Sequence, residues 1–184
     1  MPDPLFGGLL SLCQPGGRAM SALRTGWATA IGIGALWALV MAVTLAVGLS
    51  FLTGDGFRPH LGLSLLCGAA LGVSVFWGPM ALSVAAGAGA ALGMAGLGPL
   101  QATGLGLWSV LGHVALAVLV ALGVRRMLAG LPRGALTRHE FEGAILRFLT
   151  AFGTVFFAAI VLIPFYVMVM TSLKSQQALM LNPL

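Results

Sequence analysis

The chain has 184 residues, of which 59% are hydrophobic and only 7% are charged. A soluble domain usually carries about 25% charged residues, so a protein this apolar could not cover a water-facing surface with polar groups. Nine Lys and Arg against four Asp and Glu give a formal net charge of +5. These basic residues stand between apolar runs without interleaved aromatic residues, which argues against a nucleic-acid partner and indicates charge at the surface of a lipid bilayer.

The first apolar run follows a Gly- and Pro-rich segment, residues 1–26, that carries Arg18 and Arg24. We interpret this segment as cytoplasmic. The run itself, residues 27–52, is about twice as long as the apolar region of a signal peptide, so we expect an uncleaved membrane span. Residues 53–60 contain several turn-forming residues and are predicted to form a short exposed loop.

Residues 61–100 contain no charged residue and form too long a stretch for one span, since about 20 residues cross the hydrocarbon core. Gly78-Pro79 interrupts the stretch, and proline disfavours helix in the residue before it. We therefore expect a hairpin of two spans, 61–77 and 80–99. The alternatives are one long kinked helix or a pair that only dips into the membrane.

A fourth span is predicted over residues 105–124, ended by Arg125 and Arg126. Residues 125–147 then form the long polar segment of the chain, which we interpret as a cytoplasmic loop and surface helix. Thr137 and Glu140 fit a capping box, and Arg138 and Glu142 are spaced for an i,i+4 ion pair. A helix is therefore expected to begin near Arg138 and to continue into a fifth span over about residues 148–170.

The arginines set the predicted orientation, because cytoplasmic loops carry an excess of basic residues. With five spans, Arg58 and Lys174 fall on one side of the membrane. Seven basic residues share the other side, and they are Arg18, Arg24, Arg125, Arg126, Arg133, Arg138 and Arg147. The predicted fold class is an all-α polytopic membrane protein with about five transmembrane helices, the N-terminus inside and the C-terminus outside.

Few polar groups fall within the predicted spans. His113 lies in the middle of the fourth span, where an ionisable residue suggests a proton relay or a polar ligand contact. No Asp, Glu, Lys or Arg accompanies it, so we favour a neutral imidazole bonded to a neighbouring helix. Cys13 and Cys67 have no metal-ligand spacing, and we predict no catalytic, cofactor-binding or metal-binding residue and no enzyme activity.

Small residues in the spans suggest close helix packing. Gly68 with Gly72, and Gly89 with Gly93, form pairs four residues apart, a spacing that lets two helix backbones approach closely. In a chain this rich in Gly and Ala, such pairs also arise by chance, so the sequence leaves both alternatives open.

Residues 147–184 carry the most specific pattern: an apolar span with a proline in its outer half, followed by Ser-Leu-Lys and a small polar segment. The residues that carry it are Pro164, Phe165, Tyr166, Thr171, Ser172, Leu173 and Lys174. The pattern resembles the start of a binding-protein-dependent ABC importer permease of the carbohydrate (maltose and α-glucoside) type. The resemblance implies the first span of the permease domain, leading to a periplasmic tail.

The same resemblance implies a multi-pass protein of the bacterial inner membrane, with a second permease subunit, ATPase subunits and a periplasmic sugar-binding protein as partners besides the lipid. Residues 27–124 would then be a four-helix extension. Family members carry a cytoplasmic Glu-Ala-Ala loop several spans further along, and these 184 residues contain none. We therefore expect the N-terminal portion of a permease, apparently truncated. The alternative is a small stand-alone membrane structural or assembly protein without transport activity.

Overall fold

A computed structural model describes residues 25–54, 56–101 and 106–181, with residues 173–181 described as backbone only. Residues 1–24, with Arg18, Arg24 and Cys13, therefore lie outside the described residues. The chain divides into two compact units, Met1–Phe148 and Leu149–Leu184. The described residues are almost entirely helical, and four of the helices are long and apolar enough to cross a membrane.

The helices follow the order expected from the sequence. They are α1 (Gly26–Thr53), α2 (Leu61–Ser74, extended by a 3-10 turn, Val75–Trp77), α3 (Pro79–Leu92, extended by a π-helical turn, Gly93–Leu97), α4 (Leu107–Met127) and α5 (Arg138–Leu181). The apolar stretch that contains α2, Leu61–Trp77, is shorter than these four helices.

The break between α2 and α3 lies where the sequence predicted it. Gly78 has φ 102 and ψ 179, a conformation open to glycine but costly for other residues, and Pro79 is the first residue of α3. Proline suits this position because the N–H that it lacks would have no partner in the first helical turn. The alternative of one long kinked helix is therefore wrong.

Two helices extend beyond the spans predicted from hydropathy. Arg125 and Arg126 lie within the last turn of α4, where cations favour the negative end of the helix dipole. The segment after residue 170, predicted to be a periplasmic tail, continues α5 as helix to Leu181. The span prediction followed hydropathy, which reports where the chain meets water rather than where the helix ends.

The start of α5 confirms the local predictions. The Thr137 N–H donates to Glu140 Oε2 (2.8 Å), and the Glu140 N–H donates to Thr137 Oγ1 (3.3 Å), which together form the capping box. Arg138 Nε donates to Glu142 Oε1 at 2.7 Å, as the i,i+4 spacing predicted.

Backbone pairings join the helix ends of the first unit. At one end, the strand end, β1 (Arg58–Pro59) pairs antiparallel with β2 (Leu100–Gln101). The sequence analysis did not predict these strands. At the other, the arginine end, Thr25 forms a bridge with Ala135, and the Gly26 N–H donates to the Gly134 carbonyl at 2.8 Å. Helices α1 to α4 therefore run alternately up and down between the two ends.

Helix α1 supplies much of the interior of this bundle. Its buried residues recur every three or four positions and are mostly small: Gly26, Thr29, Ala30, Ile33, Gly34, Trp37, Ala38, Met41, Ala42, Ala46 and Leu49. Larger side chains such as Leu36 (49% exposed) and Leu52 (66% exposed) lie on the outer surface. An outer surface of large apolar residues suits a lipid environment and would be a liability in water.

Candidate functional site

His113 is buried in the middle of α4 and is only 3% exposed. Its Nδ1 lies 2.7 Å from the carbonyl oxygen of Ser109, one turn earlier in the same helix. Its Nε2 lies 2.9 Å from the carbonyl oxygen of Leu100 in β2. The expected bond to a neighbouring helix is therefore replaced by one bond within α4 and one to a strand.

Both partners of the His113 ring are hydrogen-bond acceptors. A neutral imidazole has one N–H and can donate to only one of the two carbonyls at a time, whereas an imidazolium donates to both. The ring links α4 to β2 at the strand end whenever Nε2 carries a proton, because Nε2 is the atom that faces the Leu100 carbonyl. No buried side-chain nitrogen or oxygen among the described residues lacks a partner, so this polar ring is accommodated inside the bundle.

A small cavity of about 30 Å³ lies beside His113. Its other walls come from α1 to α4 and include Cys67, Ala86 and Pro99. A space of this size holds about one or two water molecules and is far below the roughly 300–1,000 Å³ typical of small-molecule sites. No carboxylate or cationic side chain lines the cavity, so within the described part of the chain His113 has no series of groups along which to relay a proton.

The first predicted glycine pair marks a true helix contact. A Cβ placed on Gly68 would overlap the Gly34 carbonyl oxygen and the Ala38 side chain, and a Cβ on Gly72 would overlap the Ala30 carbonyl oxygen. Helices α1 and α2 therefore touch backbone to backbone, an approach that only residues without bulky side chains allow.

In the second glycine pair, only Gly93 lies against another part of the structure. Nothing lies within 4 Å of a Cβ placed on Gly89, whereas one on Gly93 would overlap the His113 ring. Gly93 thus makes room for the buried histidine. A contact that the sequence analysis missed joins α1 to α4, where Trp37 packs against Gly123 and its Nε1 donates to the Leu119 carbonyl at 3.4 Å.

Apart from Arg58, which lies in β1 at the strand end, the described arginines gather at the arginine end. Arg125 and Arg126 lie in the last turn of α4, Arg133 donates to the Phe76 carbonyl, and Arg147 Nη1 donates to the Ala129 carbonyl at 2.8 Å. Arg138 pairs with Glu142. Backbone bonds place the start of α1 at this same end, as described above.

The pKa of Glu140 is held below its ordinary value, first by the hydrogen bond from the Thr137 backbone N–H and then by that from the Thr137 hydroxyl. Both bonds favour the charged carboxylate. The Glu142 carboxylate raises the pKa of Arg138 by hydrogen bonding and by charge. The described acidic side chains of this segment are thus engaged within the first turns of α5.

The residues of the permease-like pattern lie along α5. Pro164 stands inside the helix, where it removes one backbone hydrogen bond. Ser172 is exposed on the same helix, and Lys174 is helical with its side chain outside the description. Residues 149–172 include no buried residue, and the exposed side chains among them include Phe157 (69% exposed) and Met168 (67% exposed).

No group of three or more His, Cys, Asp or Glu that could hold a metal ion exists among the described residues. Comparison of the chain with family models, with curated proteins and with solved structures finds no match. The functional argument therefore rests on the geometry above and on the sequence pattern of α5.

Proposed function

We propose that the chain crosses the membrane five times, with the arginine end of α1–α4 on the cytoplasmic side and the C-terminal end of α5 outside. This proposal is supported by the bridge between Thr25 and Ala135, which places the start of α1 beside the segment that follows α4. An even number of crossings then separates residue 25 from residue 135, and the basic residues collect on one side, as cytoplasmic loops require.

Two reporter fusions test this orientation. A reporter active only outside the cytoplasm is expected to be active after Lys174 and inactive after Arg133. A reporter active only in the cytoplasm, fused at the same two positions, serves as the matched control and is expected to give the opposite pattern. Activity of the external reporter after Arg133 would refute the five-span arrangement.

We further propose that the chain is a membrane-embedded subunit of a transport complex, and, from the resemblance of residues 147–184, of an ABC importer for carbohydrates. The observation that carries this proposal is α5. Its segment from residue 149 to residue 172 is almost entirely apolar, and the hydroxyls of Thr154 and Thr171 donate to carbonyls one turn earlier in the same helix, at 2.8 and 2.9 Å. A helix of this kind suits packing among other membrane spans.

In this proposal the first unit and α5 have different roles. Its cavity beside His113, about 30 Å³, is too small to pass a sugar, and the helices around it contact one another through glycine. In this proposal α1–α4 anchor and position the chain, while α5 joins the translocation unit formed with a second permease subunit. The ATPase subunits and a periplasmic sugar-binding protein supply the energy and the substrate.

Site-specific cross-linking tests the role of α5. A photoreactive amino acid placed at Phe157, Val161 or Met168 in native membranes is expected to capture a permease or ATPase subunit, identified by mass spectrometry. The matched controls are Leu66 and Val84, which are 68% and 72% exposed on α2 and α3. These controls are expected to capture mainly lipid.

A second candidate is a structural or assembly protein that acts without transport. The close α1–α2 contact at Gly68 and Gly72 favours it, because such packing serves rigidity rather than passage. If α5 positions capture only lipid or only a second copy of the chain, the importer proposal fails and this candidate replaces it.

A further inference from the structure

A cavity of about 440 Å³ opens at the arginine end, between the turn at Gly78 and the loop that follows α4. This volume lies within the roughly 300–1,000 Å³ of small-molecule sites. The residues that line it are Val75, Phe76, Gly78, Pro79, Leu82, Arg125, Leu128, Ala129, Gly130, Leu131, Pro132 and Arg133. Two arginines, Arg125 and Arg133, therefore line a cavity whose other lining residues carry no charge.

The charge of this cavity is positive and is not balanced by the residues around it. Within the described part of the chain, no acidic residue lines the cavity and Arg125 makes no ion pair. Arg133 uses one N–H to bond the Phe76 carbonyl, and a guanidinium has five. Arg147 adds a third positive charge nearby, because it bonds the carbonyl of Ala129 in the cavity wall.

The helix ends at the cavity do not alter this sign. The N-terminus of α3 presents the positive end of its dipole there, and the C-terminus of α4 presents a negative end. These partial charges oppose each other, so the arginine side chains determine the potential. An anion is therefore the ligand that this cavity favours.

Aromatic residues give the depth of the cavity. Trp27 packs against Phe76 and Trp77, with ring centroids 5.0 and 5.9 Å apart. Tryptophan concentrates at the level of the lipid headgroups. Phe76 belongs both to this aromatic cluster and to the cavity wall, so the cavity lies at headgroup depth.

The surroundings favour a lipid over a free anion. Trp77 and Met80, which flank the cavity residues Gly78 and Pro79 in the chain, are 63% and 84% exposed. They provide an apolar surface along which acyl chains can lie while the phosphate contacts the arginines. Basic pockets between membrane helices bind acidic headgroups in this way.

We propose that the cavity lined by Arg125 and Arg133 binds the phosphodiester headgroup of an anionic phospholipid of the cytoplasmic leaflet, such as phosphatidylglycerol or cardiolipin. The arginines of this segment then do more than set orientation, since two of them form a lipid site. The proposal needs only that the arginine end lies at the membrane surface and does not depend on the importer assignment.

Native mass spectrometry of the full chain tests the proposal. The protein is delipidated in an uncharged detergent and titrated with phosphatidylglycerol or with phosphatidylcholine carrying the same acyl chains. The wild type is expected to bind phosphatidylglycerol more tightly. Arg125→Gln is expected to weaken that binding about tenfold, as the loss of one charge-assisted hydrogen bond predicts, while Arg125→Lys retains most of it.

Arg126→Gln is the matched control, because Arg126 lies next to Arg125 on α4 but does not line the cavity. It removes the same charge and is expected to leave lipid binding unchanged, with far-UV circular dichroism checking the fold of each variant. Arg133→Gln provides a second variant on a loop. Added salt is expected to weaken the binding of phosphatidylglycerol to the wild type. This measurement does not depend on whether a variant folds.

Three outcomes would overturn the proposal. The first is equal binding of the two lipids by the wild type. The second is an equal loss in Arg126→Gln and Arg125→Gln, which would indicate diffuse charge rather than a site. The third is displacement of the lipid by soluble glycerophosphate at the same concentration, which would indicate a free phosphate ester as the ligand.

Discussion

Replacing Gly68 by alanine adds one methyl group at the closest contact between α1 and α2. The new Cβ would overlap the Gly34 carbonyl oxygen, the Ala38 Cβ and the Ala35 Cα. None of these atoms is the end of a flexible side chain, so no rotamer change relieves the overlap. The two helices must move apart, and that movement breaks contacts along their shared interface.

The expected cost follows from two opposing effects. Alanine in a helix interior is about 0.5–1 kcal/mol more favourable than glycine. Overpacking of a close-packed interior costs about 1–3 kcal/mol and exceeds that gain where the backbone must shift. The difference between the two effects predicts that Gly68→Ala lowers the free energy of unfolding by about 0.5–2 kcal/mol.

Gly32→Ala and Gly87→Ala are the matched controls, because a Cβ at either position meets nothing within 4 Å. These variants are expected to be as stable as the wild type or slightly more stable. The measurement is reversible unfolding by sodium dodecyl sulfate in mixed micelles, followed by far-UV circular dichroism. If Gly68→Ala unfolds together with the controls, the α1–α2 contact described here is wrong.

Three further predictions concern the strand end and the start of α5. His113→Leu removes the ring that lies between the Ser109 and Leu100 carbonyls, leaves at least one of them without a donor, and is expected to cost about 1–3 kcal/mol in the same unfolding assay; unchanged stability would contradict the link. Gly93→Ala presses against the His113 ring and is expected to destabilise, whereas Gly89→Ala, facing open space, is not; equal effects would refute the contact. Because the folded pKa of Glu140 lies below its ordinary 4.5, its stabilisation of the helix start is present above pH 4.5 and is lost as the pH falls through the folded value. Amide exchange over residues 140–144 should report this loss in the wild type and not in Glu140→Gln, which has no carboxylate to protonate; an identical pH dependence in both would contradict it.

Much of the fold could be predicted from the sequence because, in a membrane, the backbone N–H and C=O groups of each helix must form hydrogen bonds within that helix. A helix bonds its own carbonyls, so hydropathy and helix breakers suffice to locate it. The break at Gly78-Pro79 and the capping box at Thr137 and Glu140 are local patterns of this kind, and both are confirmed. The number of spans and their orientation stay predictions.

The contacts between helices could not be predicted with the same certainty. Gly68 and Gly89 occur in pairs with the same spacing, yet a Cβ on the first would overlap α1 and a Cβ on the second meets nothing. Spacing alone does not tell which face of a helix meets a neighbour when every face is apolar. The short strands were missed for a related reason, since each consists of 2 residues.

The location of His113 shows what information was lacking. Its place within α4 followed from hydropathy, but its partner in β2 lies beyond a π-helical turn in which Gly96 has a φ of 80. That turn carries the chain back so that the Leu100 carbonyl reaches the ring. No pattern in the sequence encodes this return.

Along α1, side-chain size rather than polarity distinguishes most of the buried positions from the exposed ones. Along α1 the buried positions are mostly Gly, Ala and Thr, while large apolar residues such as Leu36 and Leu52 face outward. In water the opposite arrangement is favoured, because burial of large apolar side chains drives folding. In lipid that gain vanishes, and the helices associate through close contact of small residues.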